Sequence, residues 1–290
     1  NATVKSLIEK GVIAEYSIET YREIDSIYGV NNKTVVLNDE QVTVYNAIKE
    51  KLSTHEIFLL HGITGSGKII EIGSKVTRFK KGDRVNYINS MGAGCIAEFL
   101  CLKEKAVMAK IEKNVSYIDA APIPFGAMSA YHFINEDTIK NGYEVLIYGA
   151  SGSVGSYALQ LAKYYGGKVT AVSSKKNHDK LRDLGAERVI DYMTKDFTES
   201  DKKYDVIFDS VSKISKRKCK NVLKENGKYY SVKSMTKEIS DRIVLLNKLL
   251  NDNKIETLID RVYQLEDFKE AHEHVYGKHK VGNVIIEIKK

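Results

Sequence analysis

A glycine-rich run, Gly149-Ala-Ser-Gly-Ser-Val-Gly155, is the part of the sequence whose residue types and spacing point most directly to chemistry. Glycines at this spacing let the chain turn tightly, let the backbone approach a phosphate, and let a following helix pack closely on a strand. The free amides and partial positive charge at the start of that helix favour a bound anion. The run therefore predicts a pyrophosphate-binding turn.

The sequence around this turn supplies the elements that would position it. Residues 145–148 form an apolar run typical of a buried strand, apolar side chains recur at helical spacing after Gly155, and residues 169–172 predict a second strand. A strand, a glycine turn, a helix and a strand within about 30 residues form a βαβ unit. An isolated glycine pattern is a weak signal, but this context favours dinucleotide binding over a purely structural strand–helix turn.

The residues that follow the second strand, Ser173-Ser-Lys-Lys176, indicate which cofactor is preferred. An enzyme that prefers NAD carries Asp or Glu here to hold the ribose 2′-hydroxyl. Two hydroxyls and two cations suit a 2′-phosphate instead. Lys175 and Lys176 could also simply begin an exposed helix, but the pattern favours NADP over NAD.

Further alternation of strands and helices predicts a doubly wound parallel sheet. The expected strands are 188–190, 206–208, 228–232 and 284–288, and the expected helices are 178–184, 214–223, 238–252 and 265–275. Short strand patterns at 69–73, 76–85 and 95–102 predict a small antiparallel barrel ahead of this sheet, and residues 120–131 open an apolar helix.

Composition excludes several classes of protein. The chain has 290 residues, 43% hydrophobic and 29% charged, which excludes disordered and fibrous classes. We find no run approaching the roughly 18 apolar residues of a membrane span, and three cysteines are too few for a disulfide framework. We therefore expect a soluble, cytoplasmic protein of two domains. The net charge of +7 comes mostly from dispersed lysines, which favours a solvated surface over a nucleic-acid track.

The cysteines and paired histidines do not form a convincing zinc site. Catalytic zinc takes three Cys, His or acidic ligands and structural zinc takes four. Cys95 and Cys101 alternate with apolar residues in strand patterns, and His272 and His274 are two positions apart on a helix, so they do not face each other. Core thiols and exposed histidines are the favoured roles, and we expect no zinc.

Residues 1–68 differ in character from the rest of the chain. They hold seven basic and nine acidic residues, so the positive charge lies downstream. A helix and a short hairpin over 1–30 are typical of a winged-helix module, and a helix over 39–52 and a strand over 56–61 follow. Gly62-Ile-Thr-Gly-Ser-Gly-Lys68 is then a phosphate-loop pattern without its Mg²⁺ ligand, because Ile69 stands where Ser or Thr is needed.

Residues 69–290 resemble the zinc-independent quinone oxidoreductase (zeta-crystallin-like) branch of the medium-chain dehydrogenase/reductase superfamily. The matching runs are 69–85, 120–131, 145–163, 184–192, 204–209 and 260–286. The resemblance implies a GroES-like catalytic domain (69–125 and 253–290) split around a Rossmann domain (126–252). It also implies hydride transfer from NADPH, without zinc, to a small quinone or enone/carbonyl-type acceptor. A homodimer is compatible with it.

By position, the resemblance also assigns a cofactor site. Ser151 to Gly155 should line the pyrophosphate, and Ser129 stands where the family usually has a threonine near the nicotinamide. The full cofactor-binding set is Ser129, Gly149, Ala150, Ser151, Gly152, Ser153, Val154, Gly155, Ser173, Ser174, Lys175, Tyr192, Val211, Ser231 and Val232. Candidates for a general acid are Tyr87, Tyr131 and His132, by location only, and packing is the favoured role of each.

Residues 1–68 resemble a slice of the primosomal replication helicase (primosomal protein N′), through Leu37-Asn-Asp-Glu-Gln41 and the run from Phe58 to Lys68. The helicase motifs that should follow are absent downstream, which disfavours an ATPase. Both families share Ser66-Gly67-Lys68, which predicts a chimera joined there. A catalytic barrel without its first strands would have unpaired edges. The alternatives left open are a nucleic-acid-binding helicase remnant and an inactive cofactor binder.

The expected fold is therefore α/β. A Rossmann doubly wound parallel sheet is joined to a partial GroES-like β-barrel, and a small α+β winged-helix-like segment precedes both. Whether residues 57–60 pair into the barrel or stand apart would distinguish a completed sheet from a truncated one.

Overall fold

The computed structural model describes residues 57–61, 65–88, 99–234, 239–277 and 280–288. They belong mainly to one compact unit, Glu56–Ile72 together with Val76–Lys290. The winged-helix-like elements and the helix predicted over 39–52 lie outside the described residues, as do positions 62–64 of the phosphate-loop pattern and Cys95. Among the described residues, no helix combines the length and apolar character needed to cross a membrane.

Five antiparallel strands form the first sheet, in the order β4-β1-β2-β3-β5. They are β1 (Ile57–His61), β2 (Ser66–Ile72), β3 (Arg84–Tyr87), β4 (Phe99–Lys103) and β5 (Met108–Lys110). β1 lies between β4 and β2 and pairs along its whole length with β4. Residues 57–61 therefore belong to this sheet and do not stand apart from it.

The last three residues of the phosphate-loop pattern, Ser66 to Lys68, belong to β2. Ser66, Gly67 and Lys68 pair with residues 84–86 of β3. Ser66 and Gly67 are buried, and the Ser66 hydroxyl donates to the Tyr117 carbonyl at 3.0 Å. The phosphate-loop interpretation is wrong for these three residues, because their backbone groups bond to a neighbouring strand.

The strand predicted over 76–85 is much shorter in the structure, where only its end belongs to β3. The Glu104 carboxylate accepts hydrogen bonds from the amides of Thr77 and Arg78 at 2.7 and 2.5 Å. These amides are held in a turn by a side chain, so they do not enter the ladder of a sheet.

Three short helical segments lead from this sheet to the next. They are α1 (Tyr117–Ala120), a π-helical turn (Ile123–Ala127) and α2 (Met128–Phe133). The helix expected over 120–131 is therefore broken near its start, where Pro122 and Pro124 lack the amide hydrogens that a regular helix requires.

The second sheet has five parallel strands in the order β10-β9-β6-β7-β8. They are β6 (Glu144–Tyr148), β7 (Lys168–Ser173), β8 (Arg188–Asp191), β9 (Tyr204–Asp209) and β10 (Leu223–Ser231), accompanied by helices α3 (Ser153–Tyr164), α4 (His178–Asp183) and α5 (Ser240–Asn251). The first strand of the unit, β6, is central and the order reverses beside it. This arrangement confirms the predicted doubly wound Rossmann sheet.

The last elements form a small parallel pair. β11 (Ile259–Gln264) pairs with β12 (Asn283–Glu287), and helix α6 (Phe268–Tyr276) connects them. These bounds agree with the helix and strand expected over 265–275 and 284–288.

Successive side chains of a strand point to opposite faces of the sheet, so alternate residues of the parallel sheet pack into two apolar layers. On one face Val145 and Ile147 join a large core that includes residues of α2, α3 and α5. On the other face Leu146 and Ile207 pack with Phe197 and with residues of irregular segments. Because both faces are covered, the strands read as continuous apolar runs.

The helix predicted over 214–223 is not formed. This segment contains turns and a short 3₁₀ helix, Lys220–Val222. The Asp209 carboxylate binds the amides of Val211 and Ile214 at 3.1 and 2.9 Å, which fixes a turn instead. Like charges four positions apart, at Lys216 and Lys220, would also destabilise a helix here.

A buried amide pair joins the antiparallel sheet to α5. Asn86 and Asn247 exchange side-chain hydrogen bonds at 2.7 and 2.9 Å. Asn86 also donates to the Ala120 carbonyl and Asn247 to the Lys110 carbonyl. The two side chains are at most 6% exposed, so their polar groups are satisfied only by each other and by backbone.

Candidate cofactor site

The glycine turn lies where β6 ends and α3 begins. Gly149 has a φ of +77°, which favours glycine, and its amide and that of Ala150 donate to the Val172 carbonyl of β7. Gly152 is extended and is the N-cap of α3. The first amides of a helix have no carbonyl partner within it, so those of Ser153, Val154 and Gly155 remain available to an anion.

The space around this turn admits no side chain at two of its glycines. A Cβ on Gly149 would lie 2.6 Å from a Val211 methyl group, and one on Gly155 would overlap the Gly149 carbonyl oxygen. A Cβ on Gly152 would meet only that same oxygen, at an ordinary 3.4 Å. Two of the three glycines are therefore required by packing, which leaves Gly152 as the one free to approach a ligand.

The carboxyl ends of the parallel strands meet at this turn. Tyr148 of β6 is in register with Asp209 of β9, and Asp209 is in register with Ser231 of β10. On the other side, Ser173 of β7 is in register with Asp191 of β8. In doubly wound sheets, ligands bind at this edge, beside the strand where the order reverses.

The residues assigned to the 2′-phosphate lie around the end of β7. The Tyr192 amide donates to the Ser173 carbonyl at 3.3 Å, and the phenol ring of Tyr192 is 51% exposed. Ser174 is the residue before a 3₁₀ turn, Lys175–Asn177, and the exposed Lys175 follows it. Two hydroxyl-bearing side chains and a cation therefore surround the end of β7.

The residues assigned near the nicotinamide lie at the same edge. Val211 is 40% exposed and packs against Gly149, and the Val232 amide donates to the Asp209 carbonyl at 3.2 Å. Ser129 is partly buried in the first turn of α2, one turn after Gly126, which lies against Ser153 at the start of α3.

One part of the site comes from a distant segment. The Gly282 amide donates to the Ser151 carbonyl at 2.8 Å, and Gly282 forms a bridge with Gly152. The Ser153 hydroxyl donates to the side-chain oxygen of Asn283 at 2.5 Å. The start of β12 therefore braces the glycine turn.

The candidates for a general acid all contact neighbouring protein groups. Tyr87 is 4% exposed in the core of the antiparallel sheet. The Tyr131 hydroxyl donates to the Glu136 carboxylate at 2.9 Å, and burial, reinforced by that carboxylate, raises the pKa of Tyr131. His132 Nδ1 lies 3.1 Å from the Arg242 guanidinium, which can only donate. None of these contacts points to proton transfer.

The histidines expected to be exposed behave differently from each other. His272 is exposed against the Phe268 ring, but His274 is only 20% exposed and its Nε2 lies 2.5 Å from the Asp260 carboxylate. The expectation is therefore wrong for His274, because β11 places a carboxylate beside it. In the part of the chain that the structure describes, no group of three Cys, His, Asp or Glu side chains could hold a metal ion.

Besides Asn283, three residues that sequence reasoning missed support the site. Ser210 Oγ donates toward the carbonyls of Tyr148 and Gly149 at 2.8 and 3.1 Å, and Asn177, 5% exposed, donates to Ser174 Oγ at 3.2 Å. Of these three residues, Gly282 alone could have been suspected from the sequence. A glycine just before a strand can indicate a positive φ, and the φ of Gly282 is +72°.

The fold and the glycine turn together define a Rossmann-type dinucleotide-binding protein that carries an additional antiparallel sheet. Comparison with known proteins gives the family. The alcohol dehydrogenase GroES-like domain family matches residues 29–141, and the zinc-binding dehydrogenase family matches residues 153–275.

Individual relatives agree with these matches. The chloroplast envelope quinone oxidoreductase homologue of Arabidopsis thaliana is 30% identical over 256 residues, 77% of this chain and 78% of that protein. The chloroplastic quinone-oxidoreductase homologue of Spinacia oleracea is 28% identical over 289 residues, 88% of each. The structure of the quinone oxidoreductase from Coxiella burnetii superimposes with a TM-score of 0.70 at 24% identity, over 81% of this chain and 91% of that one, and shows the shared fold.

The chain belongs to the medium-chain dehydrogenase/reductase superfamily, with quinone oxidoreductases among its relatives. The GroES-like match begins at residue 29 and so includes more than half of residues 1–68. None of these findings supports a helicase segment or a chimera.

Proposed function

We propose that this protein is an oxidoreductase that transfers hydride from NADPH to a quinone or an enone-type carbonyl acceptor. The observation that carries the proposal is the packed glycine turn at the N-terminus of α3, beside the Ser174–Lys175 corner. Relatives named as quinone oxidoreductases, and one named an NADPH-dependent alkenal/one oxidoreductase, support the cofactor and the class of acceptor.

The residues present fit this cofactor. A Cβ on Gly152 would meet only the Gly149 carbonyl oxygen, at 3.4 Å, so the backbone at Gly152 is open to a pyrophosphate. The amides from Ser153 onward bind that group, and Ser174, Lys175 and Tyr192 bind the 2′-phosphate. The nicotinamide supplies the hydride when bound. Ser129, Val211, Ser231 and Val232 orient its ring and exclude water from it.

The rest of the proposal concerns organisation. The Rossmann domain spans 126–252 and the catalytic domain 69–125 and 253–290, with β1 of residues 57–61 added to the latter. The reaction uses no zinc, the protein acts in the cytoplasm, and a homodimer is compatible with the family. The helicase resemblance of residues 1–68, and with it a junction at Ser66-Gly67-Lys68, is the least supported part, because residues 57–61 pair within the catalytic sheet.

Cofactor preference tests the proposal directly. The dissociation constants of NADPH and NADH are measured by fluorescence titration for the wild type and for Lys175→Ala. A hydrogen bond to a charged group contributes about 1.5–3 kcal/mol, so the variant should bind NADPH about tenfold or more weakly and NADH unchanged. Lys180→Ala, which removes an exposed charge on α4, is the matched control. Wild-type NADH binding as tight as that of NADPH would contradict the proposal.

Turnover tests the acceptor. NADPH consumption is followed with para-benzoquinone and with methyl vinyl ketone, and the wild type should consume NADPH with at least one of them. NADPH binding without any consumption would instead favour the inactive cofactor binder.

A further inference from the structure

The connection between β9 and β10 carries a dense run of positive charge. Within residues 213–220, called the basic loop below, five side chains are basic and none is acidic. All five basic residues are exposed, and they are Lys213, Lys216, Arg217, Lys218 and Lys220. Ile214 and Cys219 are buried beneath them and attach the loop to the sheet.

Hydrogen bonds hold the start of the basic loop beside the glycine turn. The Tyr229 hydroxyl donates to the Ile214 carbonyl at 2.7 Å, and the Asp209 carboxylate binds the Ile214 amide at 2.9 Å. Ser210, just before the loop, donates toward the Gly149 carbonyl at 3.1 Å. The start of the loop is therefore fixed at the edge of the sheet where the cofactor site lies. The loop then runs toward the start of β10, where Leu223 pairs with Tyr204.

Most of the basic loop is not neutralised by neighbouring acids. Lys218 pairs with Asp196 at 3.2 Å, and the nearby Asp205 is taken by Lys224 at 2.7 Å. The buried Asp209 is satisfied by backbone amides. Within the described ranges, no carboxylate lies within 4.0 Å of the cationic groups of the other four basic residues of the loop.

We propose that the basic loop guides NADPH into its site electrostatically and so sets the rate of cofactor association. This inference rests on the proposed function. NADPH carries three phosphates, and a cleft flanked by one sign of charge raises the local concentration of an oppositely charged ligand and its association rate by 10- to 1,000-fold. The attraction acts over about 10 Å at 0.1 M salt, so these side chains need not touch the cofactor.

The test compares two variants that lose the same charge. One carries Lys213→Gln, Lys216→Gln, Arg217→Gln and Lys220→Gln. The control carries Lys80→Gln, Lys105→Gln, Lys113→Gln and Lys254→Gln, all exposed residues outside the loop. Stopped-flow fluorescence gives the association and dissociation rate constants of NADPH and of NADH from about 10 mM to 1 M salt.

The loop variant should bind NADPH about tenfold more slowly at low salt, with a dissociation rate constant within twofold of the wild type. The difference should vanish near 1 M salt and should be smaller for NADH, which lacks the 2′-phosphate. The control variant should behave like the wild type.

Two results would overturn the inference while leaving the proposed function intact. One is an unchanged association rate and salt slope in the loop variant. The other is a loss of binding to a single-stranded DNA oligonucleotide with no change for NADPH, which would assign the loop to nucleic acid. Absence of NADPH binding in the wild type would instead contradict the proposed function and the inference together.

Discussion

The two sheets of this protein are stabilised in different ways. The parallel sheet is covered on both faces by apolar layers, one of which is continuous through α2, α3 and α5. The antiparallel sheet has a small core around Ile69, Val85 and Met108, and it depends on individual polar side chains, Asn86 and Glu104, at its margins. We therefore expect the stability of the parallel sheet to depend mainly on the size and shape of its buried side chains. The stability of the antiparallel sheet should depend more on polar substitutions and on pH.

The largest effect is expected at the glycine turn. In Gly155→Ala the new Cβ would overlap the Gly149 carbonyl and lie 2.9 Å from the Ala150 Cα, both backbone atoms that cannot move aside easily. Overpacking costs about 1–3 kcal/mol, so the melting temperature should fall by several degrees and NADPH affinity should be largely lost. Calorimetry and fluorescence titration measure the two effects.

Gly152→Ala is the matched control for shape. Its φ of −81° suits alanine, and its Cβ would have ordinary contacts, so the melting temperature should not change. An equal loss of stability in the two variants would show that packing does not distinguish the glycines.

The next effect is expected where the antiparallel sheet meets α5. Asn86→Leu removes the donor to the buried Asn247 side-chain oxygen, although Asn247 still donates to the Lys110 carbonyl. The cost is about 1–3 kcal/mol per unsatisfied group. In Asn86→Leu/Asn247→Leu both polar groups are removed, so the loss should be smaller than the sum of the single losses. Urea unfolding gives the free energy of unfolding of the wild type, the two single variants and the double variant. If the losses of the single variants simply add in the double variant, the two side chains are not coupled.

A smaller effect that depends on pH is expected at Glu104. The Arg78 amide, followed by that of Thr77, lowers the pKa of this largely buried carboxyl despite its burial. A carboxyl whose pKa is lower in the folded state adds stability above its unfolded pKa of about 4.3, and this stability is lost as the pH falls through the folded pKa. The wild type should therefore have a higher melting temperature than Glu104→Gln at neutral pH, and the difference between the two melting temperatures should shrink in acid. A difference that stays constant with pH would exclude the carboxylate as its cause.

The smallest effect is expected within the large core. The Tyr157 hydroxyl lies 2.8 Å from Thr257 Oγ1, which itself donates to the Asp119 carbonyl at 2.6 Å. Tyr157→Phe removes one hydrogen bond and leaves the apolar ring in place, so it should cost about 1 kcal/mol. Thermal unfolding checks this value, and a loss as large as that of the asparagine variants would contradict the contrast between the two sheets.

The parallel sheet could be predicted from the sequence because its signals are local. Each buried strand reads as an apolar run, and the glycine turn follows β6 directly. The same locality explains the error at 214–223. The sequence predicts a helix there, but the hydrogen bonds from Val211 and Ile214 to Asp209 that replace it depend on tertiary placement.

The antiparallel sheet shows the limit of a family resemblance. The helicase resemblance predicts that residues 57–61 belong to a foreign segment, yet they pair with β2 and β4. Likewise, no pattern could place Gly282 and Asn283 at the glycine turn, because contacts of such long range are created by the fold itself.

The bond between the Ser153 and Asn283 side chains has a consequence for biosynthesis. These residues are 130 positions apart, and a ribosome adds about 5–20 residues per second. The α3 end of the glycine turn must therefore wait roughly 6–26 seconds after its own synthesis before β12 can brace it. During that interval the nascent Rossmann sheet can form while its cofactor turn is still incomplete, so NADPH should bind only after Asn283 has been synthesised.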